Sequence, residues 1–210
     1  LESLLAQSPG NMEVLVKLLE LSREERDREQ EFNCLERILD VETDPEKRFP
    51  LLVNLGDIAR ELGGREEEAA VAYEKASELN PDSMGVLINL AGLYMNLERW
   101  EAAARCFQRA ETMEADGGRR AALAMSQGLI YAEHVGDAEV AATHLRRCLD
   151  LDPSKWDAFS ILEKQVVDKS DWAGQRELYG FMLDKHAGGD AVELQYKLHL
   201  NLGKILLEKF

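Results

Sequence analysis

The stretch that decides the fold is residues 84–115, which read MGVLINLAGLYMNLERWEAAARCFQRAETMEA. Its second half carries Ala103, Phe107 and Ala110 at offsets of four and three, which place them on one stripe of a helix. Its first half has a helical period too, with a small residue at Ala91 and an aromatic residue three positions later at Tyr94. Because a small side chain lets two helices approach closely while a larger one fills the space beside it, the stretch predicts two packed helices joined by a short turn.

The same pattern recurs along the chain. In the second-helix segments an alanine is followed by a large apolar residue and then by a small or medium one: Ala69, Tyr73 and Ala76; Ala103, Phe107 and Ala110; Ala141, Leu145 and Cys148. The segments upstream of these carry a small residue at matched places: Gly56, Ala91, Gly128 and Gly203. Glycine inside a helix costs about 1 kcal/mol relative to alanine, so its recurrence indicates close helix crossings.

Helix-breaking residues mark a regular period. Pro9, Pro45, Pro81 and Pro153 stand 36, 36 and 72 residues apart, and glycines occupy the two remaining slots, Gly117 and Gly189. Proline and glycine are the residues that end helices. A helix-stop signal at a fixed period of this length is typical of stacked structural repeats.

The repeated unit resembles the tetratricopeptide repeat, a helix, a tight turn and a second helix of about 34 residues. The matching positions in residues 84–115 are Leu87, Leu90, Ala91, Tyr94, Trp100, Ala103, Phe107 and Ala110, with Ala115 replacing the closing proline. The copies at 50–81 and 119–153 carry about one extra residue near the turn. The copy at 155–187 has Glu163 and Gln175 where small residues are expected, which predicts a splayed helix pair, and the copy at 11–45 lacks the small residue of its first helix.

The resemblance implies an all-α fold, a right-handed α-α superhelix of antiparallel helix pairs that forms a single solenoid over residues 1–210. The predicted units are residues 11–45, 46–81, 82–115, 119–153 and 154–187, with a half unit at 190–210 and the tail of a preceding unit at 1–9. These incomplete ends favour a piece of a longer array. The last helix is expected to leave an apolar stripe uncovered: Leu194, Leu198, Leu202, Leu206 and Phe210.

Charge limits the kinds of partner. The chain has 40 acidic and 25 basic residues and a formal net charge of −15 at pH 7. This excess disfavours nucleic acid and anionic membrane surfaces, because binding to phosphate would cost repulsion. No apolar run approaches the roughly 18–20 residues of a membrane span, so membrane insertion is not expected. The charge indicates either a solvated helix exterior or attraction of a basic peptide.

The cysteines and histidines do not form a site in the sequence. Cys34, Cys106 and Cys148 are an odd number at no metal-ligand spacing, which predicts buried free thiols and favours a reducing, cytoplasmic location. His144 and Cys148 lie four residues apart on one helix, but two ligands do not make a metal site. The glycine pairs lack the Lys-Ser/Thr that follows a phosphate-binding loop. We therefore expect no metal, no cofactor and no catalytic residue.

A surface remains as the candidate site, because the first helices of the tetratricopeptide family line a concave face that commonly binds peptides. The register places nine residues of the candidate site there: Val53, Asn54, Asp57, Ile88, Asn89, Met125, Ser126, Lys164 and Asn201. The three asparagines fall at equivalent places, and an amide that donates and accepts can bracket an extended peptide backbone. The alternative is a set of polar residues on a solvated face.

One subtype of the family grips the C-terminal carboxylate of heat-shock chaperones with basic residues, which are replaced here by Val53, Ile88 and Met125. The sequence therefore predicts a non-catalytic protein–protein interaction scaffold that binds a peptide segment or partner protein, with basic residues favoured in the ligand. The alternative is a regulatory or substrate-recruiting array of a larger enzyme. Weak self-association through open solenoid ends is compatible with either function.

Overall fold

The structure, a computed structural model, describes residues 10–186 and 192–209. Within these ranges the chain is all-α without a strand, and consecutive helices pack as antiparallel pairs, which confirms the predicted fold class. The helices are α1 (Met12–Glu25), α2 (Arg28–Val41), α3 (Pro45–Leu62), α4 (Glu66–Leu79), α5 (Met84–Asn96), α6 (Trp100–Met113), α7 (Gly117–Ile130), α8 (Ala138–Leu151), α9 (Trp156–Asp168), α10 (Trp172–Lys185) and α11 (Val192–Lys209).

Carboxylate and amide caps start many of these helices. The side chains of six residues each accept a hydrogen bond from a backbone N–H of the following first turn: Asn11, Asp27, Asp44, Asp116, Asp137 and Asp171. Such a cap satisfies N–H groups that have no partner inside the helix. Short polar residues between apolar segments therefore set where the first and second helices of each pair begin.

The period of prolines and glycines marks helix starts as well as connections. Pro45 and Gly117 are the first residues of α3 and α7, so their interpretation as helix stops is corrected. Proline suits the first helical position because the N–H that it lacks would have no helical partner there. Pro81 and Pro153 lie in the connections before α5 and α9, as the period predicts, whereas Pro9 and Gly189 lie outside the described residues.

Two repeat copies accommodate their extra residue in different ways. After α7 the chain continues through a π-helical turn, Tyr131–Val135, which ends at Gly136 with φ of 78°. After α3 the extra residue lies in the turn at Gly63 and Gly64, where φ is 69° and 71°. Glycine adopts this left-handed region without steric cost. Both insertions are thus absorbed next to the turn, and both helix pairs remain packed.

The chain divides into two compact units, an N-terminal unit, Leu1–Cys106, and a C-terminal unit, Phe107–Phe210. The core of the N-terminal unit contains fully buried large side chains such as Leu15, Leu35, Ile58 and Tyr73. A Cβ atom placed on Gly56 would lie 2.9 Å from the ring of Tyr73. The predicted close crossing of α3 and α4 is therefore a contact between a glycine and an aromatic ring.

The C-terminal unit repeats this arrangement with an aliphatic partner. A Cβ atom on Gly128 of α7 would lie 2.6 Å from the side chain of Leu145 on α8. Leu145 belongs to one buried cluster that continues through the later helices of this unit, including Phe159 on α9 and Met182 on α10. Two of the matched glycines, Gly56 and Gly128, thus mark a close crossing in each unit.

The α9/α10 pair packs through two aromatic side chains. The rings of Phe159 and Tyr179 meet edge to face with centroids 5.5 Å apart, and the Tyr179 hydroxyl donates to the Glu163 carboxylate. Gln175 occupies the alanine position and is buried, and its Nε2 has no hydrogen-bond partner among the described residues. The polar residues that break the repeat pattern therefore lie inside this helix pair.

We expect Ala103→Leu to lower the free energy of unfolding by about 1–3 kcal/mol, because three heavy atoms would enter a fully buried position. Gln175→Leu is expected to cost less or to stabilise the chain, since it removes a buried amide nitrogen without a partner. Denaturant unfolding of the two variants measures this order. A larger loss for Gln175→Leu than for Ala103→Leu would show that the repeat register is wrong.

The terminal helix α11 differs from the expectation of one uncovered stripe. Leu198 is only 4% exposed and Leu202 packs against the core of the C-terminal unit, so this part of the predicted stripe is covered. Leu206 of the predicted stripe stays exposed, and three further exposed apolar residues lie on the opposite side of the helix: Tyr196, Leu200 and Leu207. The predicted stripe is therefore covered in part, because α11 is apolar on two sides and packs with the side that carries Leu198 and Leu202. The side chains of Leu194 and Phe210 lie outside the described part of the chain.

Candidate functional site

An aliphatic side chain that is not fully buried recurs on the first helices. In the N-terminal unit it directly follows a buried leucine, at Val16 after Leu15, Val53 after Leu52 and Ile88 after Leu87. It also stands three residues before the residue at the helix crossing, which is Leu19, Gly56 or Ala91. In the C-terminal unit, Met125 and Leu200 stand three residues before Gly128 and Gly203. We call these five residues, Val16, Val53, Ile88, Met125 and Leu200, the aliphatic series.

Ile88 has the most open surroundings of the predicted site residues in the N-terminal unit. It is 43% exposed on α5. Gly85 and Gly92 lie three residues before it and four residues after it on the same side of the helix, and a Cβ atom on either glycine would meet open space. A ligand backbone could therefore lie against α5 and place an apolar side chain on Ile88.

A polar cavity of about 350 Å³ lies beside the predicted residues Asn54 and Asp57. The other residues that line it are Arg28, Ile58, Arg60 and Glu61. Arg28 Nε is 2.9 Å from the Glu61 carboxylate, and Arg28 Nη1 is 2.6 Å from the Glu31 carboxylate. The cavity thus presents an amide, carboxylates and guanidinium groups, which can hydrogen-bond a peptide backbone or polar side chains.

Asp57 and Asn89 are linked through Tyr73. The Tyr73 hydroxyl donates to the Asp57 carboxylate and accepts from Asn89 Nδ2 at 3.4 Å. The same arrangement occurs in the C-terminal unit, where the Tyr179 hydroxyl donates to Glu163 and accepts from Asn201 Nδ2 at 3.2 Å. We call each set a tyrosine bridge, because a second-helix tyrosine joins the first helix of its own pair to the next first helix.

The tyrosine bridges separate the three asparagines that the sequence treated as equivalent. Asn89 and Asn201 each donate an amide hydrogen to a tyrosine, so part of their capacity holds neighbouring helices together. Asn54 lies instead at the wall of the polar cavity. Peptide bracketing by these amides stays a prediction.

Burial raises the pKa of Tyr73 and of Tyr179 to about 12 each, and the hydrogen bonds to Asp57 and Glu163 add to the effect. Burial and a hydrogen bond to Glu74 likewise raise the pKa of Tyr94. An unperturbed tyrosine titrates near 10. The fold therefore favours the neutral phenol, and this stabilisation is complete below about pH 10 and is lost as the pH rises towards 12.

We expect the free energy of unfolding to fall between about pH 10 and pH 12 as the unfolded chain loses phenolic protons first, by up to about 1.4 kcal/mol per pH unit and per tyrosine. The variant Tyr73→Phe/Tyr179→Phe should show a shallower fall over the same interval. Denaturant unfolding at pH 9 to 12 measures both slopes. Equal slopes in the two proteins would contradict the raised tyrosine pKa values.

The remaining predicted residues lie in the C-terminal unit. Met125 is half-buried on α7 and packs against the core cluster, and the Ser126 hydroxyl donates to the carbonyl of Ala122. Lys164 is exposed on α9, and Asn201 is exposed on α11 while it donates to Tyr179. Each residue keeps some accessible surface, but Met125 and Ser126 already have contacts within the fold.

Val16 and Leu200 were missed in the sequence, although both belong to the aliphatic series. Val16 was missed because Leu19 replaces the small residue by which the register of the other first helices was recognised. Leu200 was missed because Asn201 was the residue of α11 that was assigned to the candidate site. A buried leucine followed at once by valine or isoleucine was the signal that could have located Val16.

The side chains with chemical reactivity have packing roles. Cys34, Cys106 and Cys148 are all buried, as predicted, and Cys34 and Cys148 are free thiols. Burial raises the pKa of the Cys148 thiol to about 11, so it is protonated at neutral pH. His144 stacks on Tyr131 with ring centroids 5.7 Å apart. Among the described residues no group of three histidine, cysteine, aspartate or glutamate side chains could hold a metal ion.

Two of the acidic side chains are buried and paired. Glu31 accepts from Arg23 at 2.9 Å and from Arg28 at 2.6 Å, and Glu111 accepts from Gln127 and Arg147. Most of the negative charge is therefore on the surface, where it is available to attract a basic ligand. None of the described helices has both the length and the apolar character that crossing a membrane requires.

Comparison with known proteins assigns the repeat. A family model described as "Tetratricopeptide repeat" matches residues 63–127, which include the turn at Gly63 and the stretch that decides the fold. No curated protein matches the chain at a significant level.

The solved structures show the fold. The crystal structure of YrrB, titled "a TPR protein with an unusual peptide-binding site", aligns with a TM-score of 0.54 and 16% identity over 97% of this chain and 97% of its own. A tetratricopeptide repeat protein from Parabacteroides merdae aligns with a TM-score of 0.55 and 19% identity over 93% of this chain and 73% of its own. The crystal structure of the MamA protein aligns with a TM-score of 0.54 and 16% identity over 83% of this chain and 91% of its own.

Proposed function

This chain is a tetratricopeptide-repeat protein, and from that premise we propose that it is a scaffold whose first-helix face binds a peptide segment of a partner protein. This repeat fold is generally a non-catalytic interaction scaffold, and no enzyme family is indicated for the chain. The first-helix face is the concave face in the family, which commonly binds peptides. The observation that carries the proposal is the exposed Ile88 between two uncovered glycines.

The apolar part of the ligand is proposed to contact the members of the aliphatic series that lie in the N-terminal unit. Val16, Val53 and Ile88 occupy corresponding positions on the three first helices of the N-terminal unit, and Val16 and Ile88 are exposed. Large apolar side chains that lose their water at the centre of an interface supply most of its binding energy. The ligand is therefore expected to carry apolar anchor residues.

The polar part of the ligand is proposed to contact the cavity at Asn54 and Asp57. Hydrogen-bonding groups there would fix the direction of the peptide and reject apolar segments that leave these groups unpaired. The excess of acidic residues favours a ligand with lysine or arginine, mainly through the association rate, and this effect weakens with salt.

Affinity capture from a lysate of the source cell tests the proposal. The immobilised chain should retain a partner that the double variant Asn89→Ala/Met125→Glu no longer retains, while helicity is unchanged. Because Asn89 also takes part in a tyrosine bridge, the single variant Ile88→Asp is the cleaner probe of the surface. Retention of the same partner by all three proteins would place binding elsewhere.

A regulatory or substrate-recruiting role within a larger enzyme remains the alternative function. The peptide-binding face would then serve a catalytic domain on the same polypeptide. The full-length gene separates this alternative from the scaffold function, since an attached catalytic domain favours the alternative.

The buried cysteines support the proposal of a cytoplasmic location, which fluorescent tagging of the full-length protein tests.

We also propose weak self-association through α11. Tyr196, Leu200 and Leu207 form an exposed apolar stripe on it, and Leu207 is 90% exposed. Gly203 lies in the same stripe with open space at its Cβ position, whereas the corresponding Gly56 and Gly128 are covered by a large side chain of the following helix. Exposed apolar patches of this kind commonly mark interaction sites.

We expect Leu207→Glu to reduce self-association, because a carboxylate would lose its hydration if the stripe were covered. Sedimentation equilibrium at increasing protein concentration measures the effect, with Val167→Glu on α9 as a control of comparable polarity at another exposed position. A chain that is strictly monomeric at high concentration, with or without these substitutions, would contradict this proposal.

A further inference from the structure

A second cavity, of about 320 Å³, lies on the second-helix side of the N-terminal unit. Its walls are α2 and α4, the second helices of two successive pairs, and α3 contributes to its base. The apolar lining residues are Phe32, Leu39, Leu52, Leu55, Val71 and Ala72. All of these are buried except Val71, which is 43% exposed. The cavity is therefore an apolar pocket of a size, near the lower end of the roughly 300–1,000 Å³ typical of ligand sites, that suits one or two large apolar side chains.

Acidic residues dominate the polar lining of this pocket. Glu36 and Asp40 lie on α2, and Glu67 and Glu68 lie on α4, so carboxylates stand on both walls. Glu67 is paired with Arg99 at 2.8 Å, whereas Glu36, Asp40 and Glu68 form no ion pair within the described part of the chain. Unpaired carboxylates on both sides of an apolar pocket favour cations on both sides of an apolar group.

The two basic residues in the lining do not remove this preference. Arg48 Nη1 donates to the carbonyl of Leu39 at 2.6 Å and to the carbonyl of Glu42 at 2.5 Å, so its hydrogen bonds serve the C-terminal end of α2. Lys75 is the other cation. Four carboxylates against these two cations leave the lining acidic. A second copy of this chain, with a net charge of −15, is a poor occupant for such a pocket.

We propose that the pocket between α2 and α4 is a second binding site, for a peptide segment with one or two large apolar residues flanked by lysine or arginine. The apolar residues fill the space between Leu52 and Val71, and the flanking cations meet Glu36 and Asp40 on one wall and Glu68 on the other. The walls of this site are second helices, although α3 forms its base, and the site does not depend on the function proposed for the first-helix face.

The test uses a fluorescein-labelled, amidated octapeptide, Lys-Lys-Gly-Leu-Phe-Gly-Lys-Lys, and the full chain, with binding followed by fluorescence anisotropy at low ionic strength. We expect saturable binding that weakens on the order of tenfold in Val71→Lys, which removes an apolar contact and adds a repelling charge at the pocket. The matched control Val167→Lys makes the same change on α9 at another exposed valine, which lies outside both proposed sites, and should bind the peptide as the wild type does.

Two further measurements separate pocket binding from attraction of a cation to an acidic surface. Glu36→Gln/Glu68→Gln should weaken binding and flatten its dependence on salt. A peptide with Gly-Ser in place of Leu-Phe should bind on the order of tenfold more weakly, because it cannot fill the apolar space. These variants change exposed residues, and circular dichroism melts serve as the control that they remain folded.

Several outcomes would overturn the proposal. They are the absence of saturable binding, equal binding of the Gly-Ser peptide, and an equal loss in Val71→Lys and Val167→Lys. A change of oligomeric state in Val71→Lys, without loss of peptide binding, would identify a second copy as the occupant instead. A failure of the first-helix face in its own test leaves this result unaffected, because the peptide here is a defined probe and the pocket variants change residues of α2 and α4 that lie outside that face.

Discussion

Tyr73→Ala is expected to lower the free energy of unfolding by about 3–5 kcal/mol. Tyr73 is fully buried, its ring lies against Gly56 at the crossing of α3 and α4, and its hydroxyl joins Asp57 to Asn89. Truncation removes the ring that fills the crossing and leaves a cavity, because Gly56 has no side chain that could fill the space. Denaturant unfolding followed by circular dichroism measures the loss.

The variant Tyr73→Phe divides this loss into its two parts. Phenylalanine keeps the ring and removes only the hydroxyl. It should lower the free energy of unfolding by about 1–3 kcal/mol, because Asp57 and Asn89 lose their hydrogen bonds to that hydroxyl. The matched change Tyr196→Ala, at an exposed tyrosine on α11, should have little effect on stability. If Tyr73→Ala were no more harmful than Tyr196→Ala, the packing of α3 on α4 described above would be wrong.

Ile88→Asp is expected to weaken binding of the peptide partner on the order of 100-fold while the melting temperature changes little. Ile88 is the most exposed predicted site residue on α5, and the glycines on either side leave room for a ligand backbone. A carboxylate at this place would be buried without a partner under an apolar anchor of the ligand. Isothermal titration with the captured partner segment measures the change.

Val71→Asp is the matched control, because Val71 is β-branched, lies in the same unit and is also 43% exposed, but on the second helix α4. It should bind the first-helix ligand as the wild type does. Equal affinity of Ile88→Asp and the wild type would exclude α5 from the interface. Loss in Val71→Asp alone would move this ligand to the second-helix side.

The repeat and its close crossings could be predicted from the sequence because they follow from local spacing. The glycine at 56 and the tyrosine at 73 are recognisable as a small residue and a large one at fixed places in a helix pair, and the structure brings them into contact. The period was recognised, but the role of Pro45 was not, since proline both ends helices and occupies the first position of a helix.

The details of the candidate site depend on contacts between repeats, which local spacing does not determine. The sequence identified Asn89 as a polar residue on a first helix, but its bond to Tyr73 requires the position of α5 against α4. Leu198 was assigned to an open surface because α11 is apolar on two sides, and only packing decides which side is covered. The pocket between α2 and α4 arises from three helices whose sequences contain no common motif.

The most direct measurement of the central claim is site-specific photo-crosslinking of the partner. A benzophenone amino acid is placed at position 88 on α5, or at the exposed position 105 on α6 as a control, and crosslinked peptides are identified by mass spectrometry. Binding on the first-helix face predicts that position 88 crosslinks to one short segment of the partner with apolar residues and lysine or arginine, and that position 105 does not. Crosslinks from position 105 with none from position 88 would contradict the account.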